Sequence, residues 1–257
     1  TWAHAGNSLL LCGKTAFMRW IYISPHLDDA VLSAGGLIRE QVNAGIPVEI
    51  WTILCGVPPT DELSPFAQVL HYQWGIPSVT ELIHSRRAED EKACQIVGAK
   101  PVYFDYLDCI YRRGKNNDWL YGYIFVPPHE DEADLPARIA ESISARLEPT
   151  DQLVCQLGLG SHIDHILVRR AVELLQRPLL YYTDIPYLFK TPEEFGPSTA
   201  GMKANDYAVS EAGLRSWQEA IAAYESQISS LFEDSEHMRS QIQRYWSENN
   251  GIPLWSA

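Results

Sequence analysis

Two patterns of hydrophobic and polar positions alternate along the chain. Short apolar runs typical of buried strands predict strands at 19–24, 47–54, 102–104, 152–157 and 178–182. Apolar residues that recur every three to four positions predict helices at 29–44, 80–97, 133–147 and 166–175, the second with Thr80 as its N-cap. Because strands and helices follow one another, the pattern predicts parallel β-α-β units, and therefore a Rossmann-like α/β fold of three αβα layers around a mostly parallel sheet.

The remaining stretches carry less regular patterns. Residues 106–130 and 183–207 are aromatic, contain proline and lack steady periodicity, so we expect them to form the walls of a pocket. Apolar residues from Leu214 to Leu231 recur at steps of three and four, which predicts an amphipathic helix. Such a helix packs on the core or on a second subunit, so a homo-oligomer is a further expectation.

Two segments rich in histidine and aspartate each follow a predicted strand and open a predicted helix. They are Pro25-His26-Leu27-Asp28-Asp29 and His162-Ile163-Asp164-His165. Ligands bind at the carboxyl ends of the strands in such sheets, so we expect the two segments to meet there. Imidazole and carboxylate groups suit zinc, and a spare carboxylate can act on its water. One segment alone would not be diagnostic, and Asp164 could equally be a helix N-cap, but the two matching contexts together predict a metal site.

Charge and cysteine content narrow the class of function. The chain has 20 basic and 33 acidic residues, a net charge of -13, which disfavours nucleic acid and anionic membrane surfaces as partners. No apolar run reaches the roughly 18 residues of a membrane-spanning helix. Five cysteines without a C-x-x-C pair indicate neither a disulfide framework nor a thiolate zinc site, and they favour a reduced, cytoplasmic protein. A small-molecule substrate is therefore expected.

The length of 257 residues and the apolar content of 46% suit one enzyme domain. The run Leu9-Leu10-Leu11 is interrupted at Gly13-Lys14 and is followed by no clear cleavage site, which argues against a signal peptide. We expect Met18 to be the natural start, residues 1–17 to be an N-terminal extension or a remnant of expression, and 18–257 to form a single domain.

A dinucleotide-binding module is the first alternative. No G-x-G-x-x-G motif follows the first predicted strand, and Gly35-Gly36 falls inside a predicted helix. At that position the two glycines favour close packing rather than a phosphate-binding loop. The missing glycine loop counts against this alternative.

The two metal segments closely resemble those of the PIG-L/LmbE-like family of zinc-dependent N-acetylglucosamine deacetylases. The similarity extends to Arg86-x-x-Glu89 with Gly98 nine residues later, which looks like the family's central helix, and to Asp108 after the third strand. It covers most of residues 18–232. The resemblance implies hydrolysis of the acetamide of an N-acetylglucosaminyl conjugate or glycoside, with zinc as cofactor and iron(II) or cobalt as substitutes.

Site roles follow from the resemblance residue by residue. It implies that His26, Asp29 and His165 bind the metal and that Asp28 is the general base acting on the zinc-bound water. The resemblance also implies that His162 and Asp164 take part in catalysis. Arg86 and Asp108 would bind sugar hydroxyls.

The catalytic pair has a specific implied mechanism. His162 would face the reacting carbonyl, and Asp164 would hold its imidazole in one tautomer and favour the charged form. The imidazolium would then stabilise the oxyanion and protonate the leaving amine. Asp164 as a mere cap and Arg86 as a solvated helix charge are the structural alternatives.

One position departs from the family pattern. Some family members place a tyrosine two residues before the first histidine of the second motif, where this chain has Gly160. Tyr182 or Tyr187 could replace it. The histidines without a partner motif, His71, His84 and His129, are expected on the surface or in loops.

Two further readings of function stay open. One is an amidase that cleaves a larger acyl group from a glucosamine conjugate, and the other is a sugar-binding module with a decayed site. The complete set of six polar residues in the two segments argues against decay.

Overall fold

One seven-stranded sheet forms the centre of the computed structural model, which describes residues 18–257. Its strands are β1 (Trp20–Ser24), β2 (Val48–Thr52), β3 (Lys100–Tyr103), β4 (Gln152–Gln156), β5 (Leu179–Tyr182), β6 (Lys203–Ala208) and β7 (Gly251–Ser256). The spatial order is β3-β2-β1-β4-β5-β7-β6. The first five strands pair in parallel, whereas β7 pairs antiparallel with both β5 and β6. The sheet is therefore mostly parallel, as predicted.

Helices cover both faces of this sheet. They are α1 (Asp29–Asn43), α2 (Pro65–Trp74), α3 (Val79–Val97), α4 (Leu135–Ser144), α5 (Ile163–Glu173), α6 (Tyr187–Lys190), α7 (Phe195–Ser198), α8 (Glu211–Ala222), α9 (Glu225–Leu231) and α10 (Ser235–Asn249). Helices α1, α3, α8 and α10 contribute to one core, and α4 and α5 contribute to the other.

The strand β1 shows how the two cores arise from one sequence. Its side chains alternate, so that Trp20 and Tyr22 enter one core while Ile21 and Ile23 enter the other. All five of its residues are buried, as expected for a central strand covered by helices on both sides. The predicted three-layer α/β fold is confirmed.

All nine predicted elements are present, with ends shifted by three residues at most. The N-cap of α3 is Ser78, whose side chain accepts a hydrogen bond from the Glu81 N–H, so the prediction of Thr80 as the cap is wrong. The expected boundary between residues 17 and 18 stays a prediction, because 1–17 lie outside the described residues.

The C-terminal half differs most from the prediction. The expected helix from Leu214 to Leu231 is two helices, α8 and α9, which are separated at Tyr224. Tyr224 is buried, and its hydroxyl donates to Asp90 Oδ1 of α3 at 2.7 Å. A long-range bond to another helix thus accompanies the break that local periodicity did not reveal. Helices α2 and α10 and the antiparallel strands were not predicted.

No helix within residues 18–257 is both long and apolar enough to cross a membrane. Within the same range, Cys55, Cys94, Cys109 and Cys155 are buried free thiols.

The glycine pair of α1 permits close helix packing, as predicted. Trp217 of α8 is fully buried against it and donates from Nε1 to the Val31 carbonyl at 2.8 Å. A Cβ on Gly35 would lie 2.6 Å from Trp217 Cδ1, and one on Gly36 would lie 3.1 Å from Trp217 Cε3. The α1–α8 contact therefore requires residues without a side chain.

We expect Gly35→Ala to lower the free energy of unfolding by about 1–3 kcal/mol, the typical cost of overpacking a core. This is the reverse of the usual gain of about 1 kcal/mol when alanine replaces glycine in a helix. Urea unfolding measures the change. Gly196→Ala is the control, because a Cβ there meets nothing within 4 Å. A Gly35→Ala protein as stable as the wild type would contradict this account of the packing.

Candidate metal centre

The two histidine-aspartate segments lie side by side at the carboxyl ends of β1 and β4, which are adjacent in the sheet. After β1, the Ser24 hydroxyl donates to the His26 carbonyl at 2.6 Å and accepts from the Ala30 N–H at 3.1 Å, which holds the turn into α1. After β4, Gly158 and Gly160 have φ values of 82° and 77°, a left-handed conformation that favours glycine. Both turns bring their polar side chains to one edge of the sheet.

His26, Asp29 and His165 converge on one point. Their ligand atoms all lie within 4.8 Å of one another. Asp29 Oδ1 is 3.3 Å from His165 Nε2, and Asp29 Oδ2 is 3.4 Å from His26 Nδ1. His165 Nε2 is buried and has no hydrogen-bond partner among the described residues. Lone pairs of two imidazoles that face one carboxylate make a donor set suited to zinc, so these residues fit the implied metal.

A carboxylate stands behind each of the two imidazoles. Asp164 Oδ2 lies 2.9 Å from His26 Nε2, and Asp184 Oδ1 lies 2.9 Å from His165 Nδ1. Histidines that bind metals almost always have such a partner, which fixes the tautomer and the ring orientation. This role of Asp184 was not predicted from the sequence. Asp184 lies just after β5, the strand adjacent to β4, and this position in the sequence could have indicated the role.

Charge around the centre favours a cation. Burial acts to lower the pKa of both imidazoles, but hydrogen bonds to Asp164 and Asp29 outweigh it and raise the pKa of His26. Asp29 and Asp184 likewise outweigh burial and raise the pKa of His165 to about 9. The carboxylates around the two histidines therefore draw positive charge to this point.

The expected pairing of His162 with Asp164 is wrong. His162 is itself the N-cap of α5, because its Nδ1 accepts a hydrogen bond from the Asp164 backbone N–H at 3.1 Å. The Asp164 carboxylate points instead to His26 and Arg112. Asp164 is therefore not the cap either.

This geometry also bears on the protonation of His162. With Nδ1 as an acceptor, the proton of the neutral ring is on Nε2. Burial, and then the neighbouring His26 and His165, lower the pKa of His162 well below its usual value. The predicted imidazolium is thus disfavoured. His162, His26 and Asp164 also form a second cluster of ligand type, in which the His162 Nδ1 accepts a hydrogen bond from the Asp164 N–H.

Asp28 lies beside the cluster without belonging to it. Burial and the nearby Asp29 raise the pKa of Asp28 to about 7, while Arg86 opposes the rise. Arg86 Nη2 is 3.3 Å from Asp28 Oδ2. The Arg86 side chain is largely buried, so the alternative of a solvated helix charge is wrong. Asp108 Oδ2 lies 3.8 Å from His26 Nε2. Arg86 and Asp108 both line the same pocket as the cluster.

This pocket is a cavity of about 910 Å³. Residues from both predicted wall segments line it, Tyr123 and Phe125 from one and Tyr187 from the other, which confirms that expectation. Helices α2 and α9 supply further walls that were not predicted, including Trp74 and Leu231. The polar cluster therefore lies in a wide cleft with many apolar walls, a common form of small-molecule site.

Tyr187 fills the space next to Gly160. A Cβ on Gly160 would collide with the Tyr187 ring, which packs edge-on against His165 at a centroid distance of 5.5 Å. The Tyr187 hydroxyl makes no hydrogen bond within the part of the chain that the structure describes. Tyr182, the other candidate, is fully buried, and its hydroxyl donates to the Ile23 carbonyl at 2.9 Å. Of the two tyrosines, Tyr187 is the one that lines the pocket.

The unmatched histidines divide into two groups. His84 and His129 are exposed, as expected. His71 is buried in α2, where its Nε2 lies 2.7 Å from the Tyr111 hydroxyl and its Nδ1 lies 3.0 Å from the Ile76 carbonyl. The expectation of a surface position for His71 is therefore wrong, because both ring nitrogens have protein partners.

Comparisons with known proteins place the chain among deacetylases. The model of the PIG-L family, described as GlcNAc-PI de-N-acetylase, matches residues 21–175. A 2'-N-acetylparomamine deacetylase from Niallia circulans is 22% identical over 278 residues, which cover 94% of each chain.

Solved structures extend the likeness. The crystal structure of a deacetylase–bog complex in the biosynthesis pathway of teicoplanin is 26% identical, with a TM-score of 0.80 over 93% of this chain and 97% of that one. The zinc-inhibited form of a teicoplanin deacetylase is 24% identical and has the same fold, with a TM-score of 0.78 over 93% of this chain and 97% of the other. Since the family match spans more than half of the sequence, the chain belongs to the PIG-L family of N-deacetylases.

Proposed function

We propose that this protein is a zinc-dependent hydrolase that removes the acetyl group from an N-acetylglucosaminyl conjugate or glycoside. The observation that carries the proposal is the buried cluster of His26, Asp29 and His165, with an unpartnered Nε2 on His165, in a cleft that also contains Asp28. The relatives named above are a 2'-N-acetylparomamine deacetylase and a deacetylase of the teicoplanin biosynthesis pathway, and they support the same reaction.

His26, Asp29 and His165 would hold the metal, and iron(II) or cobalt could substitute for zinc at a site without thiolates. Zinc bound there supplies a Lewis acid for the amide carbonyl and lowers the pKa of a water molecule towards about 7. Asp164 and Asp184 hold the two imidazoles in the tautomers that leave His26 Nδ1 and His165 Nε2 free to bind.

Asp28 is our candidate for the general base. Arg86 contacts Oδ2 of Asp28, and Oδ1 has no hydrogen bond to any group of residues 18–257. Asp28 takes a proton from the attacking water as the new C–O bond forms, and returns it to the nitrogen as the C–N bond breaks. The products are acetate and the free amine of the sugar. Arg86 and Asp108, which line the same cleft, are candidates for contacts to sugar hydroxyls.

His162 and Tyr187 are our candidates for stabilising the oxyanion. The neutral His162 ring can donate from Nε2, because its Nδ1 accepts the Asp164 N–H. The Tyr187 ring takes the place that a side chain at position 160 would need, and its hydroxyl has no partner among the described groups. Tyr187 would therefore assume the role that a tyrosine at position 160 has in some family members.

A second candidate is an amidase that removes a larger acyl group. The cavity of about 910 Å³ and its apolar walls favour it, because they leave room beyond an acetyl group. Release of acetate or of a longer carboxylate from a panel of N-acylglucosaminyl conjugates, measured with the zinc-loaded protein, separates the two. Absence of any amine product from every N-acyl substrate would favour a non-catalytic sugar-binding module instead.

The charge of the protein and its predicted location and assembly bear on its partners. A net charge of -13 continues to disfavour nucleic acid. The cytoplasmic location and the homo-oligomer stay predictions.

Replacing either imidazole of the metal set should remove the metal. We expect His26→Ala and His165→Ala to lower zinc affinity by more than about a hundredfold, since loss even of a residue behind a ligand costs roughly 10–100-fold. Metal analysis after dialysis measures this. His84→Ala, a change at an exposed histidine, is the control. Full zinc occupancy in either site variant would remove that residue from the ligand set.

Asp28 and His162 should be needed for turnover but not for metal. We expect Asp28→Asn to retain zinc and to lower kcat by about 10²–10⁴-fold, as is typical when a general base is lost. We expect His162→Ala to retain zinc and to lower kcat by about 10²–10³-fold through loss of an oxyanion donor. Steady-state kinetics and zinc analysis of the same samples test both. Loss of zinc in His162→Ala would assign this histidine to the metal instead.

Tyr187 and Tyr182 can be distinguished by removing one oxygen from each. Tyr187→Phe keeps the ring over Gly160 and should lower kcat by roughly a hundredfold, the lower end of the effect of an oxyanion donor. Tyr182→Phe should leave kcat near normal and lower stability by about 1 kcal/mol, because it removes a buried hydrogen bond to the Ile23 carbonyl. An unchanged kcat in Tyr187→Phe would exclude Tyr187 from the reaction.

A further inference from the structure

We propose that Arg112 is a positioning residue, which fixes the metal ligand His26 through Asp164 and, through Glu132, the loop that walls the pocket. The inference rests on the proposed role of His26 as a ligand. Arg112 is 7% exposed although it is a charged residue, and it lies between two buried carboxylates.

The first arm runs from Arg112 to the metal centre. Arg112 Nη2 lies 2.6 Å from Asp164 Oδ1, a close ion pair whose N–H direction is not aligned as a hydrogen bond. The opposite oxygen, Asp164 Oδ2, contacts His26 Nε2 at 2.9 Å and accepts from the Cys109 N–H at 2.9 Å. Asp164 is completely buried. Its carboxylate cannot rotate without breaking contacts on both sides, so Arg112 and the Cys109 N–H together fix where Oδ2 meets His26.

The second arm runs from Arg112 to the substrate side of the cavity. Arg112 Nε lies 2.5 Å from Glu132 Oε1, and its Nη2 is 3.2 Å from Glu132 Oε2. Glu132 in turn accepts from the Tyr121 hydroxyl at 2.5 Å, and that hydroxyl accepts from the His129 N–H at 2.9 Å. The chain from 121 to 129 is thereby tied at both ends to Glu132. Tyr123 and Phe125, which line the cavity, lie on this tied loop.

Charge balance makes the two arms depend on each other. Arg112 is the residue whose cation reaches both Asp164 and Glu132. Removing one partner of a buried ion pair leaves an uncompensated charge, which is strongly unfavourable. Loss of the guanidinium would therefore leave both carboxylates without their cation at once, so that neither Asp164 nor Glu132 is held in its present orientation. Loss of a buried arginine with a purely structural role would lower stability alone. Loss of Arg112 should also weaken metal affinity and raise KM.

Zinc affinity of the folded protein, measured by competition with a chromophoric chelator, tests the first arm. We expect Arg112→Met to weaken zinc binding by about 10–100-fold, the range for residues that orient a ligand. Arg112→Lys, which keeps the charge, should recover part of that loss. Arg113→Met is the matched control, because Arg113 pairs with the exposed Glu62 and should leave zinc affinity within about twofold of the wild type.

Kinetics with an N-acetylglucosaminyl substrate test the second arm. Tyr121→Phe removes the hydroxyl that ties the loop to Glu132, so we expect KM to rise several-fold while zinc affinity is unchanged. If Arg112→Met fails to fold, Arg112→Lys and Tyr121→Phe decide the matter alone. Wild-type zinc affinity in Arg112→Lys together with wild-type KM in Tyr121→Phe would then overturn the proposal.

Failure of this inference differs from failure of the proposed function. A wild-type protein that binds zinc and deacetylates, with a folded Arg112→Met variant that binds zinc equally well, would overturn the role of Arg112 alone. A wild-type protein that binds no divalent metal would overturn both.

Discussion

Asp29 facing two imidazoles is the contact around which the rest of the site is arranged. Its two oxygens approach His26 Nδ1 and His165 Nε2 at 3.4 and 3.3 Å. The other nitrogen of each ring contacts a second carboxylate, Asp164 for His26 and Asp184 for His165. Lone pairs that point at one another in a buried place are unfavourable unless a positive charge lies between them. The fold thus holds a geometry that a positive charge stabilises, whether a proton on the imidazoles or an ion between them.

The surroundings carry an excess of carboxylates over cations. Five aspartates, Asp28, Asp29, Asp108, Asp164 and Asp184, lie at or directly behind the cluster. Two arginines, Arg86 and Arg112, offset part of this charge, the first beside Asp28 and the second behind Asp164. Among the described residues, neither arginine forms an ion pair with Asp29, whose charged partners are the two imidazoles. The remaining negative charge favours a positive charge at this point, in keeping with the raised pKa of His26 and His165.

The cleft above the centre is built by elements outside the parallel core. Helix α9, the segment after β5 and the loop after β3 each contribute walls, and they come from distant parts of the chain. Apolar residues such as Trp74 and Leu231 surround a floor of polar and charged side chains. Variation in these walls can change the substrate while the floor stays the same.

The sequence by itself determined the parallel α/β core and which residues converge at its candidate metal centre. Periodicity located β1 and β4 because they are almost entirely buried runs. His26 and Asp29 follow β1, and His165 lies in the first turn of the helix after β4, so the order of the elements alone placed these residues at one sheet edge. Only the tertiary structure decided what each residue contacts. Asp164 turns to His26 rather than His162, Asp184 reaches His165 from the segment after β5, and Tyr187 fills the space at Gly160. The break at Tyr224 likewise accompanies a bond to Asp90. These contacts join residues from different elements, and the direction of a side chain across such a distance depends on packing that no local pattern contains.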